Sequence, residues 1–241
     1  TDRIQGLADD MVSVMKNGIE IVVVSSGAIS AGMGRLGLKK RPVDIPVKQA
    51  AAAVGQGRLI WSYEEAFGRN KKKVAQILLT ADDLKNRQRF LNARNALEAL
   101  LYYQVVPIIN ENDTVVVEEI KFWDNDHLSA LVTNLVGADL LLILSDVDGL
   151  YSQDPNLHKD AHWIPMVEKV TDKVIAMTGD SINGIGTGGM RSKVLTARTA
   201  AAFGTPTLVI NGHKKGAIQA AFRGEEIGTL FLAGKDRLSS R

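Results

Sequence analysis

The chain has 241 residues, 45% hydrophobic and 23% charged, with 29 Lys and Arg against 27 Asp and Glu for a formal net charge of +2. That length suits a large α/β domain with a substantial core, and near-balanced charge at neutral mean hydropathy argues against extensive disorder. So small a net charge leaves no electrostatic footprint for nucleic acid, no apolar run reaches membrane-spanning length, and the lack of cysteine excludes disulfides, thiolate metal sites and a cysteine nucleophile. The first residues, Thr1-Asp2-Arg3, do not open a basic-then-apolar leader, so a cytoplasmic protein is expected.

Ile4, Leu7, Ala8, Met11, Val12 and Met15 recur at helical spacing until Asn17-Gly18 stops the pattern. Ile21–Val24 is a β-branched run without alternation, as in a strand covered on both faces. A long helix is predicted over Val47–Phe67, a strand over Val74–Leu79, a helix over Asn86–Leu101 and a buried strand over Val105–Ile109. Val115–Lys121 is expected as an extra hairpin strand outside the parallel core. Leu128–Val136 reads as helix, Leu140–Leu144 as the most apolar strand and Arg191–Phe203 as helix. Pro206–Ile210 then reads as strand, Ala217–Phe222 as a short helix and Gly228–Leu232 as a last strand. Strands alternating with helices predict a three-layer α/β/α sandwich with a mainly parallel central sheet. No linker rich in Pro, Gly and Ser divides the chain, so a single domain is expected. Such a sandwich ordinarily opens on a strand, whereas this chain opens on a helix.

Ligands of open parallel sheets bind at the carboxyl ends of strands, so the residues there are the candidates for chemistry. Ser25-Ser26-Gly27-Ala28 follows the first strand; it fits either an anion site at a helix start or a plain turn with a serine cap. Asn110-Glu111-Asn112-Asp113 carries four amide or carboxylate side chains, suited to an amino acid's charged groups or to a solvated turn. Asp124-Asn125-Asp126 precedes a helix and exceeds what one cap requires. In Ser145-Asp146-Val147-Asp148-Gly149-Leu150-Tyr151, Asp146 is the functional-looking acid, while Asp148-Gly149 reads as a turn. Gly184–Lys193 is dense in glycine and opens a helix, so its amides can wrap phosphate oxygens and Lys193 can reach a transferring phosphoryl group. Its spacing matches neither a Walker A loop nor the dinucleotide fingerprint. His158 and His162 lack a third metal ligand and read as loop histidines, Lys71-Lys72-Lys73 reads as a solvated turn, and hydrolase motifs are absent.

A glycine-lined anion cradle, a lysine and acid–amide clusters together suit phosphoryl transfer, which demands positioning and charge cancellation more than covalent chemistry. A carboxylate acceptor would need no general base, being ionised at neutral pH.

SSGAISAG (Ser25–Gly32), INEND (Ile109–Asp113), DNDHLSA (Asp124–Ala130), SDVDGLY (Ser145–Tyr151) and GTGGMRSK (Gly186–Lys193) stand in the order and spacing of the glutamate 5-kinase branch of the amino acid kinase family. AVGQGRL (Ala53–Leu59) and RQRFLNAR (Arg87–Arg94) resemble that branch too. The resemblance implies an eight-stranded, mainly parallel α/β/α sandwich that moves the γ-phosphoryl of ATP to the side-chain carboxylate of L-glutamate. The product would be glutamyl 5-phosphate, the first step of proline biosynthesis, with Mg²⁺ held mainly by the ATP phosphates. Ser26, Asp113 and Asn125 would hold glutamate. Ser145, Asp146, Thr187, Gly188, Gly189, Met190, Arg191, Ser192 and Lys193 would lie at the nucleotide. Lys193 would stabilise charge on the transferring group, and Asp126 would orient the catalytic lysines. Feedback inhibition by proline and a homodimer or homotetramer are further implications.

Two departures accompany the resemblance. Family members begin with a strand and a Lys-x-Gly-Ser/Thr loop that this chain does not show, and many carry a C-terminal PUA domain of which there is no trace before Arg241. Alternatives are a family member with another acceptor, or a non-catalytic amino-acid or nucleotide sensor. An NAD-linked Rossmann enzyme is disfavoured, since no G-x-G-x-x-G follows the first strand.

Overall fold

The computed structural model describes residues 2–115, 125–155, 157–179 and 189–234, and the chain divides into two compact units, residues 1–125 and 126–241. No break in composition marks the boundary, which is why the sequence pattern predicts one domain.

In the first unit, α1 (Asp2–Met15), β1 (Val23–Val24), α2 (Ala28–Arg35) and α3 (Ile45–Gly68) precede β2 (Lys73–Leu79). Then come α4 (Ala81–Lys85), α5 (Arg87–Tyr102) and β3 (Val105–Glu111). The strands pair in the order β1-β3-β2, all parallel, with Val23 opposite Ile108 and Ile77 opposite Ile109. Flanked on both sides, β3 buries Val106 through Asn110, as an unbroken apolar run demands. Helix starts follow capping chemistry. The Asn86 side chain accepts from the amides of Gln88 and Arg89 to open α5, and Thr80 with Asp83 forms a reciprocal capping box for α4. That box is why a five-residue helix exists where hydrophobic periodicity predicts none.

Helices α2 and α3 meet backbone to backbone. A Cβ on Gly32 would fall 1.8 Å from the Ala51 carbonyl oxygen, and one on Gly55 would fall 1.8 Å from that of Ala28. Only hydrogen fits at either place.

The second unit holds the body of α6 (Asn125–Val136), β4 (Leu141–Ser145), β5 (Leu150–Tyr151), β6 (Trp163–Ile164), β7 (Met166–Val167) and α7 (Asp172–Ala176). It continues with α8 (Met190–Ala202), β8 (Thr207–Asn211), α9 (Ala217–Phe222) and β9 (Thr229–Phe231). Its sheet runs β4-β8-β9-β7, parallel except for the β8–β9 pair, and β5–β6 is a separate antiparallel ribbon. Ile143, Leu150, Val194, Val209 and Phe231 form the core, and Ala197 and Ala200 let α8 close onto it.

A mainly parallel sheet covered by helices is therefore observed. Among the described residues the first unit holds a three-stranded sheet, and the second a four-stranded sheet and the ribbon. The hairpin expected over Val115–Lys121 lies outside the described residues beyond Val115. His162 is a loop residue whose ring Nδ1 lies 3.1 Å from the Ser152 hydroxyl.

Candidate functional site

In the first unit, the Ser25 amide donates to the Ile109 carbonyl at 2.8 Å, extending the β1–β3 ladder by one bond. The segment Ser25–Gly27 consequently leaves the sheet beside the carboxyl end of β3, where Asn110-Glu111 runs into Asn112-Asp113. Gly27 then turns the chain at φ 105° into α2, a left-handed conformation that glycine alone adopts without strain. Ser26 is exposed, whereas Ser25 is buried with its Oγ 2.9 Å from the Tyr63 hydroxyl.

Asn110 is buried and held at both ends of its amide. Its Nδ2 donates to Gln56 Oε1 at 2.8 Å, and its Oδ1 accepts from the Glu111 amide at 2.9 Å. Burial, and then the neighbouring Asp113 charge, push the Glu111 carboxyl from 4.5 up to about 7. Burial raises Asp113 as well, with the Arg41 charge working in the other direction. Asn125, the first residue of α6, carries a buried Oδ1 with no hydrogen-bond partner among the described residues. These residues amount to acceptors, two of them carboxylates kept short of solvent, of the kind an ammonium group would satisfy.

In the second unit, Lys193 lies in the first turn of α8 with 6% of its surface exposed. Its Nζ is 3.0 Å from Oδ2 of Asp126, in the first turn of α6. An ammonium this buried requires an anion beside it, and the pair brings two helix starts together across 67 residues of sequence. Helix starts are where fixed amide dipoles favour negative charge. Gly189, Met190, Arg191 and Ser192 open the same helix, Gly189 and Arg191 being exposed. Thr187 and Gly188 lie outside the described residues.

Ser145 ends β4, buried, directly opposite Asn211 at the end of β8. Asp146 follows it into solvent, 3.3 Å from the serine Oγ. Asp148, which reads as a turn residue in the sequence, is the more connected acid. It accepts from Lys214 Nζ at 2.7 Å and from Asn211 Nδ2 at 2.9 Å, and these two bonds hold its carboxyl below the usual range. Asp148, Tyr151, Trp163, Asn211 and Lys214 help line a cavity of about 480 Å³, and the buried Trp163 indole N–H has no partner among the described residues. Asn211 and Lys214 have no local motif; only the in-register pairing of β4 with β8 singles them out.

These findings place the expected residues in two groups, Ser26, Asp113 and Asn125 in one unit, and Asp126, Ser145, Asp146 and Gly189–Lys193 in the other. The fold is that of a mainly parallel α/β protein with polar clusters at its strand ends, and the amino acid kinase family profile matches residues 1–211: the chain belongs to the amino acid kinase family. More particularly, it is 54% identical over 235 residues to the glutamate 5-kinase of Geobacter metallireducens, a match covering 98% of this chain and 63% of that protein. The glutamate 5-kinase of Meiothermus ruber is 53% identical, with 98% and 62% covered. The chain thus spans somewhat under two thirds of the length of the curated relatives it matches. Among solved structures, the UMP kinase from Bacillus anthracis aligns with a TM-score of 0.62 at 18% identity, covering 96% of this chain and 86% of that one. The UMP kinase from Ureaplasma parvum gives 0.59 at 14%, covering 95% and 88%. At such identities the likeness concerns the fold alone.

Proposed function

We propose that the protein transfers the γ-phosphoryl group of ATP to the side-chain carboxylate of L-glutamate, yielding glutamyl 5-phosphate and ADP, the opening step of proline biosynthesis in the cytoplasm. The observation that carries this reading is the buried Lys193–Asp126 pair, in a chain about half identical to glutamate 5-kinases. An acceptor oxygen of glutamate forms the new bond to phosphorus while the bond to the ADP oxygen breaks; no proton need move, since the acceptor is already an anion.

Each residue has a part in this proposal. Asp113 and the Asn125 Oδ1 receive the substrate's ammonium group, and the exposed Ser26 hydroxyl donates to its α-carboxylate. Ser145, Asp146, Thr187, Gly188, Gly189 and the start of α8, Met190 through Lys193, receive the nucleotide, and the cavity of about 480 Å³ beside Asn211 is of nucleoside size. Lys193 cancels the charge that builds on the moving group, and Asp126 keeps the ammonium aimed there. Mg²⁺, carried mainly on the ATP phosphates, would neutralise phosphate charge. Proline as a competing amino acid and a homodimeric or homotetrameric assembly belong to the same proposal.

The test is an ATP-dependent assay of the full protein on glutamate, N-acetylglutamate, aspartate, carbamate and UMP. Turnover of glutamate is expected. Phosphorylation of aspartate but not glutamate would replace the acceptor, and binding of ATP and glutamate without turnover would make the protein a sensor.

A further inference from the structure

Helix α3 touches both strand-end segments of the first unit through two side chains. Gln56 and Tyr63 are seven residues apart, two turns, and so share one face. Gln56 fixes the Asn110 amide, which in turn orients the Glu111 backbone and the run towards Asp113. Tyr63 meets the Ser25 hydroxyl, immediately before Ser26. Ser25 Oγ also lies 3.3 Å from the Ser26 carbonyl, to which it donates. A hydroxyl has one proton, so with Ser25 donating onward the Tyr63 O–H is the donor to Ser25. Burial raises the Tyr63 phenol above its usual value, so it keeps that proton across the neutral range. Gly55, beside Gln56, presses α3 against the Ala28 carbonyl in the first turn of α2. Besides the β1–β3 ladder, the Ser25–Ala28 turn is therefore braced by one helix, through Tyr63 on Ser25 and Gly55 against Ala28.

We propose that Tyr63 and Gln56 are positioning residues for the amino-acid acceptor: they do not touch it, but through Ser25 and Asn110 they set where the Ser26 and Asp113 groups stand. This rests on the reading of Ser26 and Asp113 as acceptor-binding residues. The relay has two independent arms, one per segment, fixed to a common support. Both arms end within the first unit, on the segments assigned to the acceptor, so acceptor binding is the property they set.

The test compares Tyr63→Phe, Ser25→Ala, their double variant and Gln56→Leu in the full protein, after wild-type turnover has been measured with the acceptor panel. Tyr63→Phe and Gln56→Leu should each raise the KM for glutamate about tenfold, with the KM for ATP within about twofold of wild type, as expected for loss of one buried hydrogen bond that orders a binding segment. Tyr63→Phe should add nothing in the Ser25→Ala background, because both remove the same link. An unchanged glutamate KM in Tyr63→Phe and Gln56→Leu would overturn the proposal. So would equal rises in both KM values with a matching fall in Tm, which mean general loosening. If the wild type instead phosphorylates another acceptor, the glutamate reading fails, and the same variants are judged on that acceptor's KM.

Discussion

Lys193 has 6% of its surface exposed, and Asp126 supplies the anion that makes a buried ammonium tolerable. In the proposed transfer its charge would matter most as negative charge moves between two oxygens, so Lys193→Ala should lower kcat by about 10²–10³ while leaving the KM for glutamate nearly unchanged. Steady-state kinetics in both substrates check this, and an unaltered kcat would remove Lys193 from the mechanism. Asp113 is the complementary case. Its half-buried carboxylate has Arg41 as an electrostatic counterweight, yet burial still wins, so it stands ready for a cation. Asp113→Ala should raise the KM for glutamate by about 10²-fold, the worth of a charge-assisted hydrogen bond, with a small change in kcat. A normal KM would place the amino acid elsewhere.

At the level of elements, α3 shows how position along a helix decides what a glycine does. Gly55 faces the Ala28 carbonyl at a distance no Cβ can share, whereas Gly57, two residues on, faces open space. Gly55→Ala should therefore destabilise the fold by about 2–3 kcal/mol or more, because backbone and not a flexible side chain must give way. Gly57→Ala should stabilise it by about 0.5–1 kcal/mol through helix propensity alone. Chemical denaturation of the two variants side by side reads both signs, and equal effects would mean that α2 and α3 do not meet as described.

On the scale of the whole molecule, stability responds to pH through carboxyls that folding shifts. Glu111 titrates at about 7 in the folded protein against 4.5 ordinarily, so between those values the folded chain holds a proton that the unfolded chain has released. Its contribution is fully present below about 4.5 and declines as pH rises through 7. Asp113 shifts the same way, while Asp83 and Asp148 shift the other way, so the wild-type profile is a composite. Glu111→Gln isolates the one group: the Tm of the variant minus that of the wild type should climb from pH 5 to pH 8. A flat difference would show that the Glu111 carboxyl is as well solvated folded as unfolded.

Most of the architecture could be read from local pattern. The bounds of α3, α5, α8, β3 and β4 fall within a few residues of those predicted, because burial of one helix face or of a whole strand writes a period into the chain. The polar clusters at strand ends were visible for the same reason, since apolar runs stop abruptly at them. What local pattern cannot hold is partnership at a distance. The Lys193–Asp126 pair spans 67 residues, Gln56 and Asn110 are 54 apart, and Tyr63 and Ser25 are 38 apart. Asp148 meets Asn211 only because β8 lies in register with β4 and sets that side chain beside it. Strands of two residues, such as β5, β6 and β7, are too short to carry a period at all. Periodicity records which way a side chain faces; which group it meets there depends on register and on how closely helices approach, and both are settled when distant segments come together.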